Sequence, residues 1–130
     1  MNKMVRAEKG KNAEAFAAEY YKKKGYSITA LNYHSRYGEI DVIAENEREI
    51  IFCEVKSRKG NVSAPAEAVD LKKQQKITLT AFRFLGKTGN EKLPRFDVFE
   101  VWDNGKGIYK FNLIENAFDA ADFSGRYDIF

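Results

Sequence analysis

The chain has 130 residues, 44 % of them hydrophobic and 14 % aromatic, which favours one domain over residues 1–130 built around one core. A formal charge of +3 is too small to establish a polyanionic partner by itself, and the single cysteine, Cys53, excludes an internal disulfide and a cysteine-rich zinc site. The opening "MNKMVRAEKG" has no apolar signal region and no stretch reaches membrane-spanning length, so the expectation is a cytoplasmic protein with no membrane contact.

From Lys11 to Lys24, the side chains of Ala13, Phe16, Ala17 and Tyr20 recur at helical spacing, and Gly25 stands where a helix ends. Glu14 borders that apolar stripe on the Tyr21 side, whereas Glu19 points away. A first strand is predicted over Tyr26–Tyr33, which leaves His34 in a loop. Ile40–Ala44 and Ile50–Lys56 predict the second and third strands, with "ENERE" as the turn between them. A second helix is expected to open in "SAPAE", capped by Ser63 with Pro65 in its first turn. It carries Val69, Ile77, Ala81, Phe84 and Leu85 and ends near Gly86. "RFDVFEVW" predicts a fourth strand, and "DNGKG" turns the chain into a fifth, "IYKFNLI". A short helix around Asn116–Asp122 completes the order α-β-β-β-α-β-β-α, which implies a sheet with helices packed on its faces.

The acids inside two of these strands raise the functional question. Side chains alternate along a strand, so Ile51, Cys53 and Val55 share one face while Phe52, Glu54 and Lys56 share the other. In "GEIDVIA" the same rule puts Ile40 and Val42 on one face and Glu39 and Asp41 on the other. If the two strands pair as a hairpin, Asp41 comes close to Glu54 and Lys56. Two such carboxylates repel unless a cation lies between them. A hard cation such as Mg²⁺ takes one or two carboxylates together with phosphate oxygens and water. With Lys56 to orient a water molecule, these parts suit metal-assisted hydrolysis of a phosphodiester. Solvated acids and bases in surface ion pairs account for the alternation equally well, and a lone E-x-K is a weak signal.

Order and spacing narrow the choice. Asp41 followed by "EVK" resembles the PD-(D/E)xK motif of restriction-endonuclease-like nucleases, with Ile40 where that motif has its proline. Glu14, "GY" at Gly25, "NY" at Asn32, "GEID", "FCEVKSR", the lysine-bearing second helix and "RFDV" at Arg95 together resemble the YraN-like family of small prokaryotic proteins, which is similar to Holliday-junction resolvases. The resemblance implies a restriction-endonuclease-like α/β fold, a mixed central sheet flanked by helices. It implies Glu14, Asp41, Glu54 and Lys56 as catalytic residues. Asp41, Glu54 and the backbone carbonyl of Val55 would hold Mg²⁺ or Mn²⁺, with Glu14 as a further candidate ligand. The expected substrate is nucleic acid, DNA in preference to RNA and branched or structured DNA in particular, cut by a homodimer. The alternative is a non-catalytic nucleic-acid-binding or accessory module that retains the fold.

Basic residues near the motif supply candidate phosphate contacts: Arg58 and Lys59 after it, and Lys72, Lys73, Gln74 and Lys76 on the second helix. Glu39 is a candidate supporting acid or a plain strand-end charge. Asp97 is expected to pair with Arg95 or cap a turn, and Cys53 to be a small core residue.

Overall fold

The computed structural model describes residues 3–58 and 69–119, with side chains from residue 12 onward. Helix α1 spans Lys3–Lys23, followed by strands β1 (Ser27–Ser35), β2 (Gly38–Glu45) and β3 (Glu49–Arg58). Helix α2 (Leu71–Thr88) then leads to β4 (Leu93–Asp103) and β5 (Ile108–Phe118). The five strands form one mixed sheet in the order β1-β2-β3-β4-β5. All neighbours are antiparallel except β3 and β4, which are parallel and therefore need the long connection that contains α2. The fold is thus α/β, consistent with the restriction-endonuclease-like class.

The sheet is covered on both faces, which explains why β2, β3 and β4 are so nearly continuous in apolar residues. Ile43, Ile50, Phe52, Phe96 and Val98 pack with Ile77, Ala81 and Phe84 of α2. The alternate residues Val42, Ala44, Ile51, Cys53, Phe99 and Val101 pack with Ala13, Ala17 and Tyr21 of α1. Each helix is stopped by chain chemistry. Gly25, at φ 95°, ends α1 while its N–H bonds the carbonyl of Lys22 and that of Tyr26 bonds the carbonyl of Tyr21. Asp70 caps α2, its side chain accepting the N–H of Lys73 at 2.8 Å, and Gly89 ends it at φ 64°.

Several boundaries differ from the sequence expectation. The "SAPAE" segment lies outside the described residues, and the described helix begins at Leu71 with Asp70 as its cap. It continues past Gly86 to Thr88, because a glycine without a left-handed turn does not end a helix. The expected helix from Asn116 is corrected: residues 116–118 continue β5, where Phe118 pairs with Phe96, and residues 120–122 lie outside the described residues. His34 is in β1 rather than a loop, paired in register with Glu39. Ile40 and Val42 do not share a face: Ile40 joins the α2 cluster and Val42 the α1 cluster. The alternation breaks between them, at Asp41.

Asp97 is fully buried and pairs with Arg95, whose Nε and Nη2 donate to its two oxygens at 2.9 and 2.8 Å. The Tyr21 hydroxyl and the Asn116 N–H also donate to it, at 2.7 and 3.0 Å. This network ties α1, β4 and β5 together. Arg95→Ala is expected to strand that buried charge and lower stability by about 3 kcal/mol, the lower end of the range for broken buried pairs because Arg95 itself reaches solvent. A thermal melt should fall by about 10 °C, and a shift below about 2 °C would show that Tyr21 and Asn116 suffice. Among the described residues no helix is long and apolar enough to cross a membrane.

Candidate functional site

The antiparallel ladder between β2 and β3 runs from Glu45↔Ile50 to Val42↔Cys53 and stops there. Asp41 and Glu54 are the next residues on each strand, so the two acids sit where the strands part. Asp41 uses one oxygen to accept the N–H of Val55 at 2.8 Å, which joins the diverging strands by a side chain instead of a ladder bond. Both acids are buried, at 8 % and 7 % relative exposure. Burial, and after it the charge of Glu54, push the Asp41 carboxyl up to about 7, despite the Val55 N–H acting against the shift; Glu14 and Glu39 add smaller upward contributions.

Glu54 has a cation beside it. Its Oε1 lies 2.6 Å from Nζ of Lys73, which reaches over from the first turn of α2. The Lys73 pKa is raised: burial acts against its charge, but the bond to Glu54 and the fields of Glu54, Asp41 and Asp70 outweigh it. Lys56 follows Glu54 by two residues and is partly exposed, on the face that alternation assigns to α2.

Glu14 comes from α1, close enough for its charge to act on Asp41. Its Oε2 accepts a hydrogen bond from Nδ2 of Asn32 at 2.8 Å. Asn32 lies between the pairs Leu31↔Val42 and Tyr33↔Ile40, opposite Asp41, and is held at φ 51°. Asparagine tolerates that left-handed conformation better than most residues. The site therefore draws on α1, β1, β2, β3 and α2.

The basic candidates divide. Lys72, Lys73 and Lys76 line a groove of about 350 Å³ together with Gly38, Glu39 and Glu54. Gln74 does not face that groove freely, because its Nε2 donates to the carbonyl of Val69 at 2.8 Å. Arg58 is turned inward, with Nε 2.9 Å from Oε2 of Glu100. Lys59 lies outside the described residues. Glu39 pairs with the ring of His34 at 3.4 Å, on an exposed surface. Two larger hollows, of about 610 and 630 Å³, lie against Thr29 and Arg48 and against Phe16 and Phe111; neither contains the acidic pair.

Sequence reasoning missed Glu100. It is fully buried on β4, in register with Lys56, and accepts from Arg58 and from Asn112 at 3.0 Å. An acid inside "FEVW" is the same signal that singled out Glu54, and it was available. The bonds of Asn32 to Glu14 and of Lys73 to Glu54 were not, since both join distant segments.

The donor set can be tested against a metal. Among the described residues no three His, Cys, Asp or Glu side chains are placed to form a protein cage for an ion. Asp41 and Glu54 each keep one oxygen outside the contacts just given. Two carboxylates with solvent and substrate completing the shell is the mode that Mg²⁺ uses, so the pair fits a hard cation and not a closed structural zinc site.

A family model described as "Uncharacterised protein family UPF0102" matches residues 13–101, most of the chain. The chain belongs to the UPF0102 family. This is the YraN-like family that its motifs resemble. The UPF0102 protein of Caldanaerobacter subterraneus subsp. tengcongensis is 41 % identical over 122 residues, covering 91 % of this chain and 100 % of the relative. That of Symbiobacterium thermophilum is 42 % identical over 113 residues, covering 85 % and 96 %. A Thermotoga maritima UPF0102 protein is 42 % identical over 95 residues, covering 73 % and 87 %. The UPF0102 match contains Glu14, Asn32, Asp41, Glu54, Lys56, Lys73 and Glu100, so the whole acidic site lies inside the family's span.

Proposed function

We propose that the protein is a divalent-metal-dependent nuclease that hydrolyses phosphodiester bonds in DNA, branched or structured forms included. The observation that carries this reading is the buried pair of Asp41 and Glu54 at the parting of β2 and β3, with Glu54 lining a groove that also holds Lys72, Lys73 and Lys76. Two buried carboxylates are unfavourable as a structural device and favourable as a cation site.

Asp41, Glu54 and the Val55 carbonyl would hold Mg²⁺ or Mn²⁺, with Glu14 as a further acid near them. Such a cation supplies charge neutralisation at the phosphate and a more acidic water. Lys56 orients the attacking water through its ammonium. Asn32 fixes the Glu14 carboxylate at the edge of the site. The water would release a proton to solvent as its oxygen bonds to phosphorus, and the leaving oxygen would take up a proton from solvent as its bond to phosphorus breaks. Lys72 and Lys76 receive flanking phosphates in the groove. On this reading the substrate is DNA in preference to RNA, with action in the cytoplasm. A two-fold homodimer would present two such sites to a branched substrate.

The test is a cleavage assay on linear duplex, single-stranded, flapped and four-way DNA, with Mg²⁺, with Mn²⁺ and with chelator. Metal-dependent nicking of at least one form is expected. Metal-dependent binding without cleavage of any form would instead assign the fold to a non-catalytic nucleic-acid-binding module.

A further inference from the structure

We propose that Lys73 is the built-in counter-cation of the acidic pair, which a divalent cation must displace from Glu54 in order to bind. This rests on the reading of Asp41 and Glu54 as a cation site. The Lys73 ammonium lies 2.6 Å from Oε1 of Glu54, and the two side chains are unequally placed: that of Glu54 is buried, whereas that of Lys73 is 47 % exposed. The carboxylate is therefore fixed in the sheet while the ammonium covers it from the solvent side.

The helix holds the base of Lys73 still. Its own N–H is bound by the Asp70 cap at 2.8 Å, and the next residue, Gln74, is tied to the Val69 carbonyl at 2.8 Å. Only the four-carbon stem is left to move, and lysine carries a compact charge on that flexible stem. An ammonium and a divalent cation on one carboxylate repel strongly at such short range. With the cation on the second Glu54 oxygen the two would draw on one negative charge, and the ammonium, held only by its flexible stem, gives way. The stem then has somewhere to go, because Lys73 already lines the groove with Lys72 and Lys76. Cation entry thus sends a third positive charge to the surface assigned to DNA phosphate. Metal binding and phosphate binding become coupled through one side chain, and the metal-free pair is kept partly neutralised until then.

The alternative is a fixed ion pair between helix and sheet, indifferent to metal. Calorimetric titration with MnCl₂ at pH 8 and constant ionic strength separates the two, using the parent, Lys73→Met and Lys72→Met. Lys72 lies in the same groove and removes the same charge, so it controls for the general field. Lys73→Met is expected to bind Mn²⁺ about five- to tenfold more tightly than the parent, and Lys72→Met to stay within about threefold. The metal-free Lys73→Met protein should also melt below the parent and recover on Mn²⁺ addition. Equal affinity in the parent and Lys73→Met, or weaker binding in the variant, overturns the displacement while leaving the cation site standing. Absence of saturable Mn²⁺ binding in all three proteins overturns the cation site itself, and the displacement with it.

Discussion

For the proposed nuclease, replacing Glu54 by glutamine is expected to lower the rate of DNA cleavage by about a thousandfold or more while leaving the fold in place. A metal ligand supports several kcal/mol of charge stabilisation in the transition state, and each ~1.4 kcal/mol is a factor of ten in rate. Glutamine keeps the length and an acceptor for Lys73 but removes the anion, so the proposed cation site would lose one of its two carboxylates. The same change removes the repulsion between Glu54 and Asp41, which is among the causes that raise the Asp41 pKa. The variant should therefore melt no lower than the metal-free parent at pH 8. Lost cleavage with an intact melt separates a site residue from a folding residue. A variant that cuts at the parent rate would trace the activity to a contaminant or to other side chains.

Asp41→Asn is expected to change how stability depends on pH. The Asp41 carboxyl is raised from 3.8 to about 7 by burial and then by Glu54. Between about pH 4 and 7 the folded protein holds a proton there that the unfolded chain has released. Stability from this group is thus greatest below about pH 4, declines as pH rises through the window and levels off above 7. The full swing is at most about 4 kcal/mol, from roughly three pKa units at ~1.4 kcal/mol each. Asparagine can still accept the Val55 N–H but cannot ionise, so the parent-minus-variant difference in chemical denaturation isolates the effect. Above pH 7 the variant should match or exceed the metal-free parent. Mg²⁺ at about ten times its Kd should return about 1.4 kcal/mol to the parent, a rise of ~3–8 °C in Tm, and much less to the variant. An identical pH profile in the two proteins would mean that Asp41 ionises without penalty and that the pair is an ordinary surface feature.

The parts of this site that are local in sequence were legible, and those made by long-range contact were not. Alternation placed Phe52 and Glu54 towards one helix and Cys53 towards the other, because period two follows from the strand backbone itself. The same rule failed at Ile40 and Val42, since the strands part at Asp41 and the backbone there no longer keeps a flat ladder. The helix expected at Asn116 failed for a related reason. "ENAF" suits a helix locally, yet its N–H at Asn116 is taken by Asp97 and Phe118 stacks on Phe96 across the sheet. Arg58 looked like a phosphate ligand from its position after "EVK", but a buried acid on the neighbouring parallel strand claims its Nε. The two contacts that shape the site most, Asn32 with Glu14 and Lys73 with Glu54, span 18 and 19 residues between separate elements. Spacing along the chain cannot reveal them.

A divalent-cation site formed by Asp41 and Glu54 underlies each of these expectations. Crystals grown at pH 8 and soaked in MnCl₂ test it most directly, because manganese is located by its anomalous scattering independently of any assumed ligand. One strong anomalous peak is expected, bounded by the carboxylates of Asp41 and Glu54 and the Val55 carbonyl, with the Lys73 ammonium moved away from Glu54. A protein whose only peaks lie elsewhere, with Lys73 still seated on Glu54 at saturating Mn²⁺, would contradict it.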